Sequence, residues 1–204
     1  MKISKKKFIY IISPNKIYPQ FYKDLKEILE TGKIGFFQMR LKKYSFREKI
    51  FIGRKIKEIC KKNNVKFLIN DDPLLVKRLD ADGCHLGQKD IHIDEARKLI
   101  GNKIIGITCH NSVKLAQAAI KGKASYLAFG AFFSSKTKKT KHKASASILN
   151  KVKKLTKTPL VAIGGINSDN YKNLLLNNAN FLAISSYIWN NKKYKPLEAT
   201  EKLK

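Results

Sequence analysis

Residues 8–20 read FIYIISPNKIYPQ, an apolar run of strand type followed by a crossover segment that contains no glycine. An open, doubly wound α/β sheet places a glycine-rich phosphate loop at this first crossover. A closed (β/α)8 barrel has no such requirement, because its active sites form in the loops that follow all the strands. The opening stretch therefore favours the barrel.

The rest of the chain repeats the same alternation of apolar runs and helical segments. The predicted strands are residues 8–12, 34–39, 66–69, 83–86, 104–107, 126–129, 160–163 and 181–184. Strands and helices in alternation imply a parallel sheet joined by helical crossovers. We predict one α/β domain over residues 1–204, a (β/α)8 TIM barrel that is compact for its class.

The charge of the chain is strongly positive. Its 43 lysine and arginine residues against 15 aspartate and glutamate residues give a formal net charge of +28, which is typical of nucleic-acid-binding proteins. However, only five of these residues are arginine, the better partner for phosphates and bases, and the lysines are spread along the chain. We therefore expect no nucleic-acid partner and interpret the charge as solvated surface that attracts anionic substrates.

The three cysteines form no close pair and no metal-binding spacing, which favours a cytoplasmic protein. The run 8–12 follows several lysines, as in a signal peptide, but it is short and no small-residue cleavage site follows it. We interpret it as the first strand. We expect no membrane partner, because no run approaches the ~18 apolar residues of a span. The sequence leaves open whether the chain forms a homo-oligomer.

Polar or glycine clusters follow seven of the predicted strands. These clusters are QMRLK (38–42), NDD (70–72), HLGQKD (85–90), TCH (108–110), SKTK (135–138), GGI (164–166) and SS (185–186). In a parallel barrel the loops after the strands open on one face, where active sites form. We predict that the clusters build one site that handles phosphate groups.

Asp71 and Asp90 follow two predicted strands that are neighbours in the chain. Mg²⁺ prefers oxygen ligands and is commonly bound by only one or two carboxylates, completed by water and phosphate. The two residues therefore suit a magnesium site. Helix capping is the alternative, and we favour it for Asp72, which precedes Pro73.

Gln38, Arg40 and Lys42 alternate at the end of the second predicted strand, so their side chains are expected on one side of it. Buried polar and charged groups need partners, and a diphosphate would serve. The later clusters add hydroxyls, a lysine and the pair 164–165, where glycines let a backbone approach a ligand. His85 and His110 are each either an acid or base, or a satisfied polar residue at the barrel rim.

Taken together, the clusters resemble the thiamine phosphate synthase family. The matching segments are QMRLK (38–42), ND (70–71), DGCHLGQ (82–88) with Asp90, GIT (106–108), residues 130–138 and AIGGI (162–166). They occur in the family's order and cover residues 34–189. The resemblance implies a barrel that binds Mg²⁺ and joins hydroxymethylpyrimidine diphosphate to thiazole phosphate, releasing pyrophosphate.

The resemblance also implies a role for each matching residue. Contacts with the aminopyrimidine would come from Gln38 and Thr108. The diphosphate would be held by Arg40, Lys42, Asn70 and Lys138, of which the three cations would assist its departure. Mg²⁺ would be bound by Asp71 and Asp90. The thiazole and its phosphate would be held by Ser135, Thr137, the backbone of Gly165, Ser185 and Ser186.

Three other functions stay open. A thiazole tautomerase-like relative on the same barrel would transfer a proton through a histidine such as His110. Such relatives typically lack the asparagine, aspartate and later aspartate found here at Asn70, Asp71 and Asp90, so the synthase is favoured. The net charge leaves a basic nucleic-acid-binding protein as a second alternative, and a barrel that retains only binding is a third.

Overall fold

Eight parallel strands close into a barrel in sequence order, in a computed structural model that describes residues 7–134 and 142–204. The strands are β1 Ile9–Ile12, β2 Ile34–Met39, β3 Lys66–Asn70, β4 Gly83–Leu86, β5 Ile104–His110, β6 Tyr126–Phe129, β7 Leu160–Ile163 and β8 Phe181–Ile184. The predicted (β/α)8 barrel is confirmed. That residues 1–204 form a single domain stays a prediction.

Helices surround the barrel and connect its strands. They are α1 Phe21–Glu30, α2 Phe46–Lys62, α3 Pro73–Leu79, α4 Ile93–Ile100, α5 Val113–Lys121, α6 Ser147–Lys153, α7 Tyr171–Leu176, α8 Ser186–Trp189 and α9 Pro196–Glu201. Asp72 caps α3 as predicted, since its carboxylate accepts the N–H of Leu75 at 3.0 Å. Within the described ranges, none of these helices is long and apolar enough to cross a membrane.

Apolar side chains form two packed regions, one on each side of the sheet. The larger region joins the outward face of the strands to the helices and includes Ile11, Leu25 and Phe37, all fully buried. The smaller one fills the barrel interior with Tyr10, Leu68, Tyr126, Ala128 and others. Because residues alternate between the two sides of a strand, β1 sends Tyr10 inward and Ile11 outward.

The strands differ from the prediction at their carboxyl ends, where the site lies. β3 continues through Asn70, and β5 continues through Thr108 to His110, three residues beyond its predicted end. β2 ends at Met39, so Arg40 and Lys42 lie in the loop beyond it. The parallel register then brings the ends of β2, β3, β4 and β5 side by side.

Candidate active site

An ion pair joins the loops that follow β2 and β3. The ammonium Nζ of Lys42 lies 2.8 Å from Oδ2 of Asp71, with the lysine side chain 56% exposed and the aspartate 28% exposed. The two loops border a cleft of about 380 Å³ whose polar lining includes Lys42, Lys49, Asn70 and Asp71. A cationic and an anionic group are therefore held together at the mouth of the barrel.

Asp71 has an unusual backbone conformation. Its φ of 64° lies in the left-handed region, and its N–H donates to the carbonyl of His85 across to β4 at 2.9 Å. Non-glycine residues adopt this region uncommonly, and such residues cluster at functional sites. The hydrogen bond from the main chain fixes where the carboxylate can reach.

Asp90 lies in the loop after β4 and does not cap the helix that follows. The side chain of His92 caps α4 by accepting the N–H of Asp94. The Oδ2 of Asp90 instead accepts the N–H of Gly87 at 2.7 Å, which folds its loop back toward β4. The capping explanation for Asp90 is therefore wrong, and its carboxylate is turned toward Asp71.

The two carboxylates, Asp71 and Asp90, are within hydrogen-bonding range of each other. Burial raises the pKa of Asp71, but hydrogen bonds from Lys42 and Asp90 outweigh it, and the net pKa lies below the usual value. For Asp90, burial and the neighbouring carboxylate raise the pKa above its usual value, against the opposing hydrogen bond from Gly87. Two adjacent carboxylates repel unless a proton or a cation lies between them.

These carboxylates fit Mg²⁺. The donor set is all oxygen, and the crowding of negative charge favours a divalent cation at this point. Among residues 7–134 and 142–204, no group of three or more histidine, cysteine, aspartate or glutamate side chains could hold a metal ion. A site with two protein ligands is the kind that Mg²⁺ completes with water and substrate phosphates.

Arg40 presents a cation at the same mouth. Its main-chain N–H donates to Oγ of Ser13 at 2.9 Å, and its Nη1 donates to Oδ1 of Asn15 at 3.2 Å. In the described part of the chain it forms no ion pair with a carboxylate. Its positive charge therefore faces no protein anion there, which suits an anionic ligand.

The prediction that Gln38, Arg40 and Lys42 lie on one side of the second strand is wrong in part, because the strand ends at Met39. Gln38 is on β2, is 2% exposed and donates from Nε2 to the hydroxyl of Tyr10 inside the barrel. Arg40 and Lys42 follow the end of the strand, so the two-residue alternation no longer applies to them. Lys42 reaches the site from the rim.

A line of hydrogen bonds crosses the barrel interior beneath this mouth. From Gln38 and Tyr10 it continues to Tyr126, whose hydroxyl lies 2.8 Å from that of Tyr10. The same hydroxyl lies 2.9 Å from Nδ1 of His85, and Nε2 of His85 lies 2.9 Å from Oγ1 of Thr108. Burial lowers the pKa of His85 to about 4 and raises the pKa of both tyrosines. All these groups are therefore uncharged near neutral pH.

Comparison with known proteins decides the family. The family model described as thiamine monophosphate synthase matches residues 9–188 of this chain.

The chain belongs to the thiamine monophosphate synthase family.

Its relatives match it along nearly the whole length. A thiamine-phosphate synthase of Pelagibacter ubique is 64% identical over 200 residues, covering 98% of this chain and 97% of the relative. One of Erythrobacter litoralis is 38% identical, covering 94% and 92%. A thiamine phosphate pyrophosphorylase structure from Pyrococcus furiosus aligns with a TM-score of 0.86 at 29% identity, covering 99% and 96%. The predicted family, fold and transferase activity are confirmed.

The loops predicted to hold the thiazole phosphate are described only in part. The predicted residues Ser135, Thr137 and Lys138 lie outside the described residues. Gly164 and Gly165 have φ values of 105° and 65°, and a Cβ at Gly165 would lie 2.5 Å from the carbonyl of Ser134. The glycines therefore let this turn pack against residues 131–134, a structural reason that sequence reasoning did not give them.

The two serines that follow β8 occupy different positions. Ser185 precedes α8, and its Oγ donates to the carbonyl of Ser13 at 3.3 Å, which ties the end of β8 to the end of β1. Ser186 is the first residue of α8. Both are partly buried, and the Ser13 that Ser185 contacts in turn accepts the N–H of Arg40 from the loop after β2. Their roles toward a ligand stay predictions.

His110 ends β5 and has a φ of 53°. Its ring stacks on that of His142, with 4.3 Å between the ring centroids. This packing agrees with the interpretation of His110 as a satisfied residue at the rim, and whether it also acts as an acid or base stays a prediction. The stack also brings the start of the segment after residue 141 against the end of β5.

Sequence reasoning missed several residues of the site. Tyr10 and Tyr126 were counted as apolar strand positions, although a buried phenol hydroxyl needs a partner and this signal was available. Lys49 lines the cleft from α2, and Nε2 of Gln88 donates to the carbonyl of Thr108. Nothing in the local pattern distinguishes Lys49 from other surface lysines, whereas Gln88 lies in the predicted HLGQKD cluster but was given no role of its own.

Proposed function

We propose that the chain joins hydroxymethylpyrimidine diphosphate to thiazole phosphate, giving thiamine phosphate and pyrophosphate. The observation that carries this proposal is the arrangement at the ends of β2, β3 and β4. There the ammonium of Lys42 contacts Asp71, whose carboxylate faces that of Asp90. Such a group of cations and paired carboxylates is suited to a diphosphate and a divalent metal ion.

Asp71 and Asp90 would hold Mg²⁺. When bound, the ion supplies positive charge that stabilises a departing pyrophosphate. The protein residues hold the two carboxylates in place: the main chain of Asp71 through His85, and the carboxylate of Asp90 through the N–H of Gly87. These bonds fix the main chain at Asp71 and the carboxylate of Asp90 before a cation arrives, and the cation would take the place of the Lys42 ammonium on Asp71.

Arg40, Lys42, Asn70 and Lys138 would bind the diphosphate. The carbon–oxygen bond to the pyrimidine methylene breaks, and its electron pair leaves with pyrophosphate. The thiazole nitrogen then forms the new bond to that carbon with its own lone pair. The residues around the leaving group therefore have to neutralise charge and hold two substrates in line, and a strong base is not required.

The thiazole phosphate would be held on the opposite side of the mouth. Its predicted ligands are Ser135, Thr137, the N–H of Gly165, Ser185 and Ser186. The N–H of Gly165 donates to no acceptor within residues 7–134 and 142–204, and it lies at a turn with left-handed backbone. A donor of this kind supports the assignment, because successive main-chain N–H groups in such turns bind anions.

The aminopyrimidine would contact Gln38 and Thr108, which lie at the two ends of the interior hydrogen-bond line. We further propose a cytoplasmic location, supported by three cysteines that are free and buried: Cys60, Cys84 and Cys109. Free thiols of this kind are usual in a reducing compartment.

The direct test is to incubate the purified chain with both substrates and Mg²⁺ and to measure thiamine phosphate and pyrophosphate. We expect both products in equal amounts. Asp80→Asn is a suitable control, because Asp80 binds Lys57 and Lys103 before the amino end of β4, away from the site. Absence of product, together with micromolar DNA binding of steep salt dependence, would favour the nucleic-acid alternative.

A further inference from the structure

The hydrogen bonds inside the barrel have a direction, because one end of the line is a fixed donor. Nε2 of Gln38 can only donate, so the hydroxyl of Tyr10 accepts there. The hydrogen of Tyr10 then needs an acceptor, and the hydroxyl of Tyr126, 2.8 Å away, is the partner the structure provides. The hydroxyl of Tyr126 therefore receives a hydrogen and passes its own onward.

The same argument fixes the state of His85. The hydroxyl of Tyr126 donates to Nδ1 of His85, so Nδ1 carries no hydrogen. A neutral imidazole then carries its hydrogen on Nε2 and donates it to Oγ1 of Thr108. Thr108 accepts at its oxygen, and its own hydroxyl hydrogen has no acceptor among the described residues. At the other end, Oε1 of Gln38 likewise has no donor there.

The glycine at position 106 leaves the space that the side chain of Tyr126 occupies in this line of hydrogen bonds. A Cβ on Gly106 would lie 1.9 Å from Cζ of Tyr126 and 2.3 Å from its hydroxyl oxygen. Gly106 pairs with both His85 and Tyr126 across the strands. The absence of a side chain at this position lets the phenol of Tyr126 lie against the imidazole, with their rings stacked at 5.7 Å between centroids.

We propose that Tyr10, Tyr126 and His85 are positioning residues that make Thr108 a hydrogen-bond donor and Gln38 a hydrogen-bond acceptor toward the substrate ring. This inference rests on the proposed function, in which those two residues contact the aminopyrimidine. It adds three interior residues that act without contacting the substrate. They decide which of the two substrate-contacting residues donates a hydrogen bond and which accepts one.

These donor and acceptor roles have a consequence for substrate specificity. A ring with an exocyclic amine beside an unprotonated ring nitrogen offers one donor and one acceptor, which match an accepting Gln38 and a donating Thr108. The oxo analogue would set its carbonyl against the accepting oxygen of Gln38, and its ring N–H would leave the hydroxyl hydrogen of Thr108 without an acceptor. Sites that leave buried polar groups unpaired reject such analogues strongly. The interior line is therefore expected to select the amino form of the pyrimidine.

The first test measures the tautomer of His85 directly and needs no substrate. The ¹⁵N-labelled protein is studied by long-range ¹H–¹⁵N correlation at neutral pH, and the His85 signals are assigned by their loss in His85→Gln. We expect a protonated Nε2 and an unprotonated Nδ1. A protonated Nδ1 with a bare Nε2 would mean that the line runs the other way, and the proposal would be wrong.

The second test uses Tyr126→Phe, which removes one hydroxyl and keeps the ring. Tyr171→Phe is the matched control, since Tyr171 is equally buried but bonds to the main chain of Lys204 outside the barrel. We expect Tyr126→Phe to lower kcat/KM for the pyrimidine diphosphate about tenfold, the loss expected for one buried hydrogen bond. The preference for the amino over the oxo substrate should narrow, while KM for thiazole phosphate stays unchanged.

The outcomes separate the two proposals. An unchanged amino-to-oxo preference in a folded Tyr126→Phe variant would overturn the positioning role. A wild-type chain that forms no thiamine phosphate would instead overturn the proposed function, and the tautomer of His85 would still decide the direction of the line. If Tyr126→Phe does not fold, the same tautomer measurement on the wild type decides the inference alone.

Discussion

The ammonium of Lys42 contacts the carboxylate of Asp71 at 2.8 Å, although the two residues are expected to serve different parts of the substrate complex. Each group neutralises the other at the rim of the barrel. A divalent cation on Asp71 would replace the lysine there, and the freed ammonium would be close to the diphosphate that the cation also binds. The pair thus holds both groups near the positions where they are needed.

Metal removal is expected to abolish turnover. Asp71→Asn and Asp90→Asn should each reduce kcat by a factor on the order of 100 or more, because each removes charge stabilisation of the leaving group. Product formation in EDTA, and its recovery on adding Mg²⁺, is the measurement. The control Asp80→Asn should keep wild-type turnover. Full activity in EDTA would contradict the magnesium assignment.

Lys42→Ala should impair chemistry more than folding. The lysine is more than half exposed, so its ion pair contributes at most about 1 kcal/mol to stability. Loss of its charge from the diphosphate should lower kcat/KM by a factor on the order of 100. Lys43, also exposed and adjacent in the chain, provides the control Lys43→Ala. A several-degree drop in Tm with unchanged turnover would make Lys42 structural.

His110→Ala should cost less activity than Asp71→Ala. The thiazole nitrogen already carries the lone pair that forms the new bond, whereas pyrophosphate leaves poorly without nearby cations. Coupling of the two substrates by both variants at saturating Mg²⁺ makes the comparison. A larger loss for His110→Ala would instead favour proton transfer of the tautomerase-like kind.

Stability should fall as the pH is lowered through the range in which His85 titrates. Burial depresses the pKa of His85 from 6.5 to about 4, so between these values the unfolded chain takes up a proton that the folded chain does not. The free energy of unfolding is therefore unaffected by His85 above pH 6.5. Below pH 6.5 it falls by up to about 1.4 kcal/mol per pH unit, until the pKa of the folded state is reached.

Urea unfolding at pH 7.5 and pH 5 provides the measurement. His85→Gln should show a smaller difference between the two pH values than the wild type. His92→Gln is the control, because His92 is 72% exposed. Equal pH dependence in the wild type and in His85→Gln would show that the imidazole is not held neutral by the fold.

The sequence predicted the fold well, because the barrel follows from a repeated local pattern. The bounds 34–39, 83–86, 126–129, 160–163 and 181–184 agree with the strands observed. β5 was predicted too short because Thr108 and His110 are polar, and an apolar pattern cannot show that a strand continues into a site. The ion pair between Lys42 and Asp71 could not be predicted either, because it depends on the conformation of a loop, which an apolar pattern does not indicate.

The interior hydrogen-bond line was beyond sequence reasoning for a different reason. Tyr10 and Tyr126 are 116 residues apart, and their contact depends on where two non-adjacent strands place them in the closed barrel. In each strand the tyrosine looks like one more apolar residue. The position of Asp90 also needed the structure, because an aspartate shortly before a helix resembles a cap until His92 is seen to take that place.

At Asp71, the side chain proposed to bind the metal ion is attached to a strained, left-handed main chain. Glycine would adopt a φ of 64° with less strain, and a left-handed L-residue costs roughly 1 kcal/mol or more. Replacing Asp71 by glycine would thus relax the main chain while removing a carboxylate. At this position, the residue whose carboxylate the proposed metal site needs is therefore also one that strains the main chain.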